Sequence, residues 1–263
     1  MDLANKTILI TGASSGLGAA LAFAAARQGA NLVLCARRGE RLRQVAAKAR
    51  ALSGKRALAV RIDLTQPAQI EQLQQVLKRK VGAVDVLINN AGAGYFERAL
   101  DFPMAKTRQL FELDVLSLIQ LTQQVGLGMA ALHQGLIVNI ASQAGKLVTP
   151  KASIYAAAKA AVITYSNGLR MELRPLGIHV LTVNPGPIKT EFAHVADPTD
   201  HYAQAVSGIA LDADQLAARI IRAMQQKRRE LNAPWPMELA ARLRPLLPAL
   251  TDRLIASPLF DRK

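Results

Sequence analysis

Cysteine is nearly absent from this 263-residue chain: there is one, Cys35, inside the apolar run NLVLCA. A single thiol excludes a disulfide within the chain, and its apolar setting predicts a buried, inert side chain. Histidine is scarce as well, and of the four, His133 and His179 fall near expected strand starts, where a structural role is expected. No residues stand at metal-ligand spacing, so no metal site is expected. Uncharged apolar runs stop short of the roughly 18 residues that a membrane span requires. The first residues, MDLANKTILI, lack the basic and apolar regions of a signal peptide. A cytoplasmic location is therefore expected. Acidic residues are also few, 19 against 33 Lys and Arg, for a net charge of +14. Such an excess suits a phosphate-bearing partner or an anionic membrane face. No zinc-finger spacing, leucine zipper or aromatic RNA-binding signature accompanies it, and nucleic-acid binding is not expected.

What is present is a large apolar fraction, 51%, enough for one substantial core. Six short apolar runs, TILIT, NLVLCA, ALAVRID, VDVLINN, GLIVNIAS and IHVLTVNPG, alternate with Ala-rich and Leu-rich periodic segments. Runs without polar alternation are what strands buried on both faces look like, and their alternation with helices implies a parallel sheet. The expected class is α/β, a Rossmann-like doubly wound parallel sheet with helices on both faces. Residues 1–231 read as one domain. From residue 232 the chain becomes rich in Pro, Leu and Arg and reads as a C-terminal extension, 232–263.

Directly after the first expected strand comes TGASSGLGAALAFAAARQGA. Gly12, Gly16 and Gly18 permit a tight turn, close approach of backbone to a pyrophosphate, and packing of the following helix on the sheet. Ser14, Ser15 and Leu17 complete the turn, and the helix start offers free N–H groups to phosphate. A purely structural glycine turn has the same appearance. The second strand ends VLCARR, where an acidic residue would bind the ribose 2′-hydroxyl of NAD. Arg37 and Arg38 stand there instead and suit the 2′-phosphate of NADP(H) through charge-assisted bonds, although either also begins a basic, solvated helix.

The segment SIYAAAKAAV, residues 153–162, places Tyr155 and Lys159 one helical turn apart on one face. A solvated helix produces such a pair by chance. A phenol beside an ammonium is also a tuned proton donor, because the nearby positive charge favours the phenolate.

Together these motifs resemble those of the short-chain dehydrogenases/reductases, from about residue 5 to residue 230. TGASSGLG is similar to that family's cofactor turn, Asp63 and Leu64 to its adenine contact, and NNAG, with Asn90, Ala91 and Gly92, to its fourth-strand motif. Ser142, Tyr155 and Lys159 match its catalytic residues, and NPGPIKT, with Pro185, Gly186, Ile188 and Thr190, matches its nicotinamide-side loop. The resemblance implies an oxidoreductase that interconverts a carbonyl and a secondary alcohol with NADP(H) rather than NAD(H). Tyr155 would be the general acid/base, Ser142 the group holding the carbonyl oxygen, and Lys159 both a tuning charge and a ribose ligand. It also implies a homodimer or homotetramer. Where the family usually carries a relay asparagine, this chain has Asp114, which enters the expected catalytic set as a departure. The runner-up reading is a nucleotide-binding sensor or regulator with little turnover.

The segment after Thr190 corresponds to the family's substrate lid, where Phe192, His194 and Tyr202 either line the substrate pocket or only anchor the loop. In the extension, Leu239, Leu243, Leu246, Leu250 and Leu254 recur at helical spacing, flanked by Arg242, Arg244 and Arg253 and preceded by Trp235. Pro245 and Pro248 should divide this stretch into two short helices. Such a basic amphipathic segment suits peripheral contact with an anionic membrane and an apolar substrate. Packing on the protein's own core or on a neighbouring subunit is the other reading.

Overall fold

In the computed structural model the six apolar runs become six strands of a seven-stranded parallel sheet. The structure describes residues 1–197, 204, 206–249 and 251. The strands are β1 (Thr7–Thr11), β2 (Asn31–Ala36), β3 (Ala57–Arg61), β4 (Val86–Asn89), β5 (Gly135–Ile140), β6 (Ile178–Pro185) and β7 (Glu230–Ala233). Their spatial order is β3-β2-β1-β4-β5-β6-β7, parallel throughout. The chain winds outward one way from β1 and then the other way from β4. The carboxyl ends of β1 and β4 therefore flank the switch point, where folds of this kind open a crevice for ligand.

Helices cover both faces. On one side α1 (Gly16–Arg27), α2 (Gly39–Ser53) and α8 (Ala213–Gln225) bury Leu21, Leu42 and Ile220 against Ile8, Leu34 and Val138. Alanines at 20, 22, 25 and 26 let α1 lie close to its neighbours. On the other side α3 (Pro67–Lys80), α5 (Ser117–Ala131) and α6 (Ser153–Leu173) cover Leu9, Val33 and Ile137. Cys35 belongs to this layer, and burial pushes its thiol up to about 12, so it is an inert core residue. Between α4 (Met104–Phe111) and α5 the helix widens into a single π turn, Glu112–Leu116, which contains Asp114. Two short helices, α7 (Glu191–Ala196) and α9 (Trp235–Leu243), lie on the carboxyl side of the sheet. Among the described residues no helix is long and apolar enough to cross a membrane.

Two expectations change. The seventh strand was not among the six apolar runs, because ELNA has only two buried residues and lies at the sheet edge. It also spans the boundary placed at 231/232, so the sheet takes its last two residues from the segment read as an extension. α9 ends at Leu243, two residues before Pro245, whose ring and missing N–H stop the helix. The expectations for Tyr202, Leu250, Arg253 and Leu254 lie outside the described residues.

Candidate active site

The strand ends are tied together by a threonine that the sequence reading did not single out. Thr11 Oγ1, at the end of β1, accepts from the N–H groups of both Asn90 and Ala91, each at 2.9 Å. Asn90 Nδ2 donates back to the Thr11 carbonyl at 2.9 Å. Asn90 is thus a clamp between β1 and β4 that holds residues 90–92 at the floor of the crevice. Beneath them a buried polar string runs Asn89 to Asn139 to Ser166, each link 2.9 Å, joining β4, β5 and α6.

Above this floor lies a groove of about 1760 Å³, and every residue expected at the cofactor, from Gly12 to Thr190, borders it. Gly12 and Gly16 have φ of +64° and +53°, a region that residues with a Cβ rarely adopt. A Cβ on Gly18 would collide with the Gly12 carbonyl and the Asn90 amide, and one on Gly12 would stand 2.8 Å from Ala91 Cα. The turn is therefore a bare backbone cradle. Ser15 precedes α1 in extended conformation without capping it, which leaves the first N–H groups of the helix for a ligand. Groove size, cradle and uncapped helix start together fit a dinucleotide.

At the end of the groove formed by the glycine turn Arg38 reaches over that turn, with Nε to Ser14 Oγ at 3.3 Å and Nη2 to Ser15 Oγ. Its Nη1 meets Glu191 Oε2 at 3.0 Å, and Arg41 Nη1 meets both oxygens of Glu191 at 2.9 and 2.8 Å. Hydrogen bonds from Arg38 and Arg41 hold the Glu191 carboxyl below the usual range. Neither Arg41 nor Glu191 was anticipated; the available signal was that Arg41 lies three residues, about one turn, after Arg38. Arg37 is exposed at the rim. Asp63 also borders the groove, and its Oδ1 accepts from the N–H and hydroxyl of Thr65 at 3.0 and 2.8 Å, fixing the turn before α3.

At the other end three side chains converge. Ser142, two residues past β5, donates to the Pro185 carbonyl at 3.3 Å and accepts from the Ala144 N–H at 3.0 Å. Tyr155 is buried, lies close enough to Ser142 for that hydroxyl to act on its phenol, and is walled by Phe96 and Phe192 at ring separations of 5.9 and 6.0 Å. Lys159 Nζ stands 5.8 Å from the Tyr155 ring centre and 3.4 Å from the Ile140 carbonyl. Phe192 thus lies at the pocket, as expected for a lid residue.

Asp114 does not border the groove. It lies behind Gly92, with Oδ2 2.8 Å from Lys159 Nζ and Oδ1 accepting from the Ala93 N–H at 2.8 Å. A Cβ on Gly92 would stand 3.1 Å from the carboxylate and 3.2 Å from the ammonium, so the chain passes directly over this ion pair. Burial works against charge on Lys159, but Asp114 and Tyr155 hold its pKa above the ordinary lysine value. Burial also lifts the Asp114 carboxyl, against the pull of Lys159 and the Ala93 N–H. The phenol departs from the sequence expectation: burial raises its pKa, Asp114 adds to the rise, and the opposing effects of Lys159 and Ser142 do not overcome them. The lysine does favour the phenolate, but here its charge is shared with a carboxylate.

The C-terminal segment completes the wall. Pro234, Trp235, Met237 and Ala240 border the groove, and Met237 and Pro234 pack against the bare face of Gly186, whose N–H donates to the Ala233 carbonyl at 2.6 Å. Lys146 locks this segment to the Ser142 loop, with Nζ 2.9 Å from Glu230, 3.0 Å from Asn232 and 3.3 Å from Glu238. These contacts were invisible in the sequence because their members lie more than 80 positions apart.

Comparison with known proteins gives a consistent result. Residues 6–201 match the family model described as short chain dehydrogenase. The ketoacyl reductase HetN of Nostoc sp. is 36% identical over 184 residues, covering 70% of this chain and 64% of its own length. This chain thus spans less than two thirds of that relative. A short-chain dehydrogenase from Sphingobium yanoikuyae, solved in complex with NADPH, is 33% identical with a TM-score of 0.81 and covers 96% of both chains. Another from Burkholderia phymatum, in complex with NAD, is 25% identical with a TM-score of 0.88 and covers 95% of this chain and 96% of its own.

Proposed function

Because the chain belongs to the short-chain dehydrogenase family, whose members are oxidoreductases, we propose that it interconverts a carbonyl and a secondary alcohol with NADP(H). The observation that carries this reading is the convergence of Ser142, Tyr155 and Lys159 at one end of a groove whose other end presents a bare glycine cradle and two arginines. The bound dinucleotide supplies or accepts the hydride. Gly12, Gly16 and Gly18 leave room for its diphosphate, and Arg38, with Arg41 and Arg37 beside it, offers donors to a 2′-phosphate.

At the reacting carbon the chain handles one proton and one developing charge. Ser142 Oγ donates to the substrate oxygen, and Tyr155 Oη gives a proton to that oxygen in reduction and removes it in oxidation. Lys159 keeps positive charge beside the phenolate so formed and offers its N–H groups to the ribose. Asp114 keeps Lys159 charged. Phe96, Phe192, Leu147 and Trp235 make the substrate end apolar, which supports a small apolar carbonyl or alcohol as substrate.

The proposed setting is the cytoplasm. The exposed side of the C-terminal segment, Trp235, Leu239 and Leu246, with Arg242 alongside, suits peripheral contact with an anionic membrane surface. Exposed Leu116, Leu127 and Met171, on the π turn, α5 and α6, support pairing with a second copy. Titration calorimetry with NADPH and NADH, followed by turnover on a panel of apolar ketones and secondary alcohols, tests the assignment. Binding of neither dinucleotide, or binding without turnover on any member of the panel, would count against it.

A further inference from the structure

The arginines that suit a 2′-phosphate already hold an anion, and it belongs to the protein. The Glu191 carboxylate receives Arg38 Nη1 at 3.0 Å and Arg41 Nη1 at 2.9 and 2.8 Å. Glu191 is the first residue of α7, and Thr190, which caps that helix, packs over Gly16 of the phosphate turn. The ion pairs thus fasten the start of α7 across the adenosine end of the groove. The ring of the next residue, Phe192, lies 6.0 Å from that of Tyr155.

We propose that Glu191 is an internal competitor for the 2′-phosphate of NADP(H): its carboxylate latches α7 to Arg38 and Arg41, and the phosphate displaces it. This rests on the NADP(H) reading above and adds a specificity-determining residue to it.

Three features carry the inference. A carboxylate offers two acceptor oxygens and one negative charge, whereas a phosphate monoester offers three and close to two charges near neutrality, so the same donors favour the phosphate. The latch is releasable, because Arg38, Arg41 and Glu191 all have about half of their side-chain surface exposed, 48%, 50% and 56%. Exposed ion pairs of this kind each change an equilibrium constant by at most about fivefold. Finally, Arg38 does not depend on Glu191 for its position, since its Nε and Nη2 are held by Ser14 and Ser15. The guanidinium stays over the turn when the carboxylate leaves. NADH, with a hydroxyl in place of the 2′-phosphate, brings no charge to that position with which to displace Glu191.

The test is titration calorimetry of the wild-type protein, Glu191→Gln and Arg38→Ala with adenosine 2′,5′-bisphosphate, NADPH and NADH. The bisphosphate probes the adenosine end without requiring the reacting end. Glu191→Gln is expected to bind the bisphosphate and NADPH about three- to tenfold more tightly, with NADH changed by less than about twofold. Hydrogen exchange supplies a second readout: the bisphosphate should speed exchange of the amides in residues 191–196 of the wild type, and Glu191→Gln should start from the faster rate. Unchanged or weaker NADPH binding by Glu191→Gln, with the wild type still preferring NADPH over NADH, would overturn the competitor role and leave the cofactor reading standing. Equal wild-type affinity for NADPH and NADH, unaffected by Arg38→Ala, would overturn both.

Discussion

Asp114 Oδ2 lies 2.8 Å from Lys159 Nζ, and the two side chains are 0% and 7% exposed. A carboxylate this close and this dry changes what the lysine can do for Tyr155. It supports the charge on the ammonium against the opposing effect of burial, and it cancels part of the field that the ammonium exerts on the phenol. The π turn, Glu112–Leu116, brings Asp114 there: the widened turn carries it behind Gly92, to the Ala93 N–H.

Asp114→Asn should therefore move the ascending limb of alcohol oxidation, where Tyr155 gives up its proton, toward lower pH. The sign follows from the charges, since a nearby carboxylate disfavours the phenolate and its removal lowers the phenol pKa. A limb that stays in place or moves upward would show that Asp114 does not act on Tyr155. Asp114→Ala, which strands a buried ammonium, should also cost about 3 to 5 kcal/mol of stability in denaturant titration.

Tyr155→Phe should abolish turnover while leaving NADPH affinity within about twofold, a change below 0.5 kcal/mol. The phenol supplies the proton and the ring supplies the packing against Phe96 and Phe192, which phenylalanine retains. Lys159→Ala should weaken both. Calorimetry and single-turnover rates on the same preparations separate the two effects, and a Tyr155→Phe protein with normal rates would remove Tyr155 from the reaction.

The fold was legible because the inner strands are continuous apolar runs and the glycines mark a turn that only bare backbone can make. The proposed proton donor and its lysine were legible because both lie on one helix at fixed spacing. Glu191 and Lys146 were not, because their chemistry depends on partners brought together by the sheet: Arg38 is 153 positions from Glu191, and Lys146 is 84 from Glu230. β7 escaped for another reason. An edge strand of four residues needs no apolar run, and its place is set by pairing with β6 and by the Lys146 cluster. Tyr155 shows the limit of a pairwise reading, since the charge that would tune it is itself paired.

Lys146 should make stability sensitive to acid. Burial raises the Glu230 and Glu238 carboxyls, but hydrogen bonds and charge from Lys146, with Asn232 and Arg229 at Glu230 and Arg242 and Gln143 at Glu238, hold both below their ordinary values. Carboxyls depressed in the fold stabilise it above their unfolded pKa of about 4.3, and that contribution is lost as pH falls through the folded values. Thermal unfolding should show a steep loss of stability from about pH 4.5 downward. Lys146→Met should flatten this slope and cost about 1.5 to 3 kcal/mol at pH 7, the usual range for a hydrogen bond to a charged group. An unaltered acid slope in that variant would remove the cluster from the account.

The segment that completes the groove also leaves apolar side chains in water. Trp235 and Leu246 are 73% and 74% exposed, and Leu239 and Leu247 about half. Ala241, by contrast, is buried and Glu238 is held by Lys146, so one side of α9 is fastened to the protein and the other faces outward. Trp235 also borders the groove, so the outward side adjoins its wall. On an anionic bilayer each cation near the surface adds about 1 kcal/mol of attraction, and Arg242, 74% exposed, stands on the same helix. The protein should co-sediment with anionic vesicles at low salt and be released as salt rises. Removing the segment is a poor control, because it would take Ala233 from β7 and Glu238 from Lys146. Leu239→Ser with Leu246→Ser changes exposed side chains that do not border the groove and should leave the melting temperature in place. If that double variant sediments as the wild type does, or if the wild type stays in the supernatant, the exposed face serves something other than lipid.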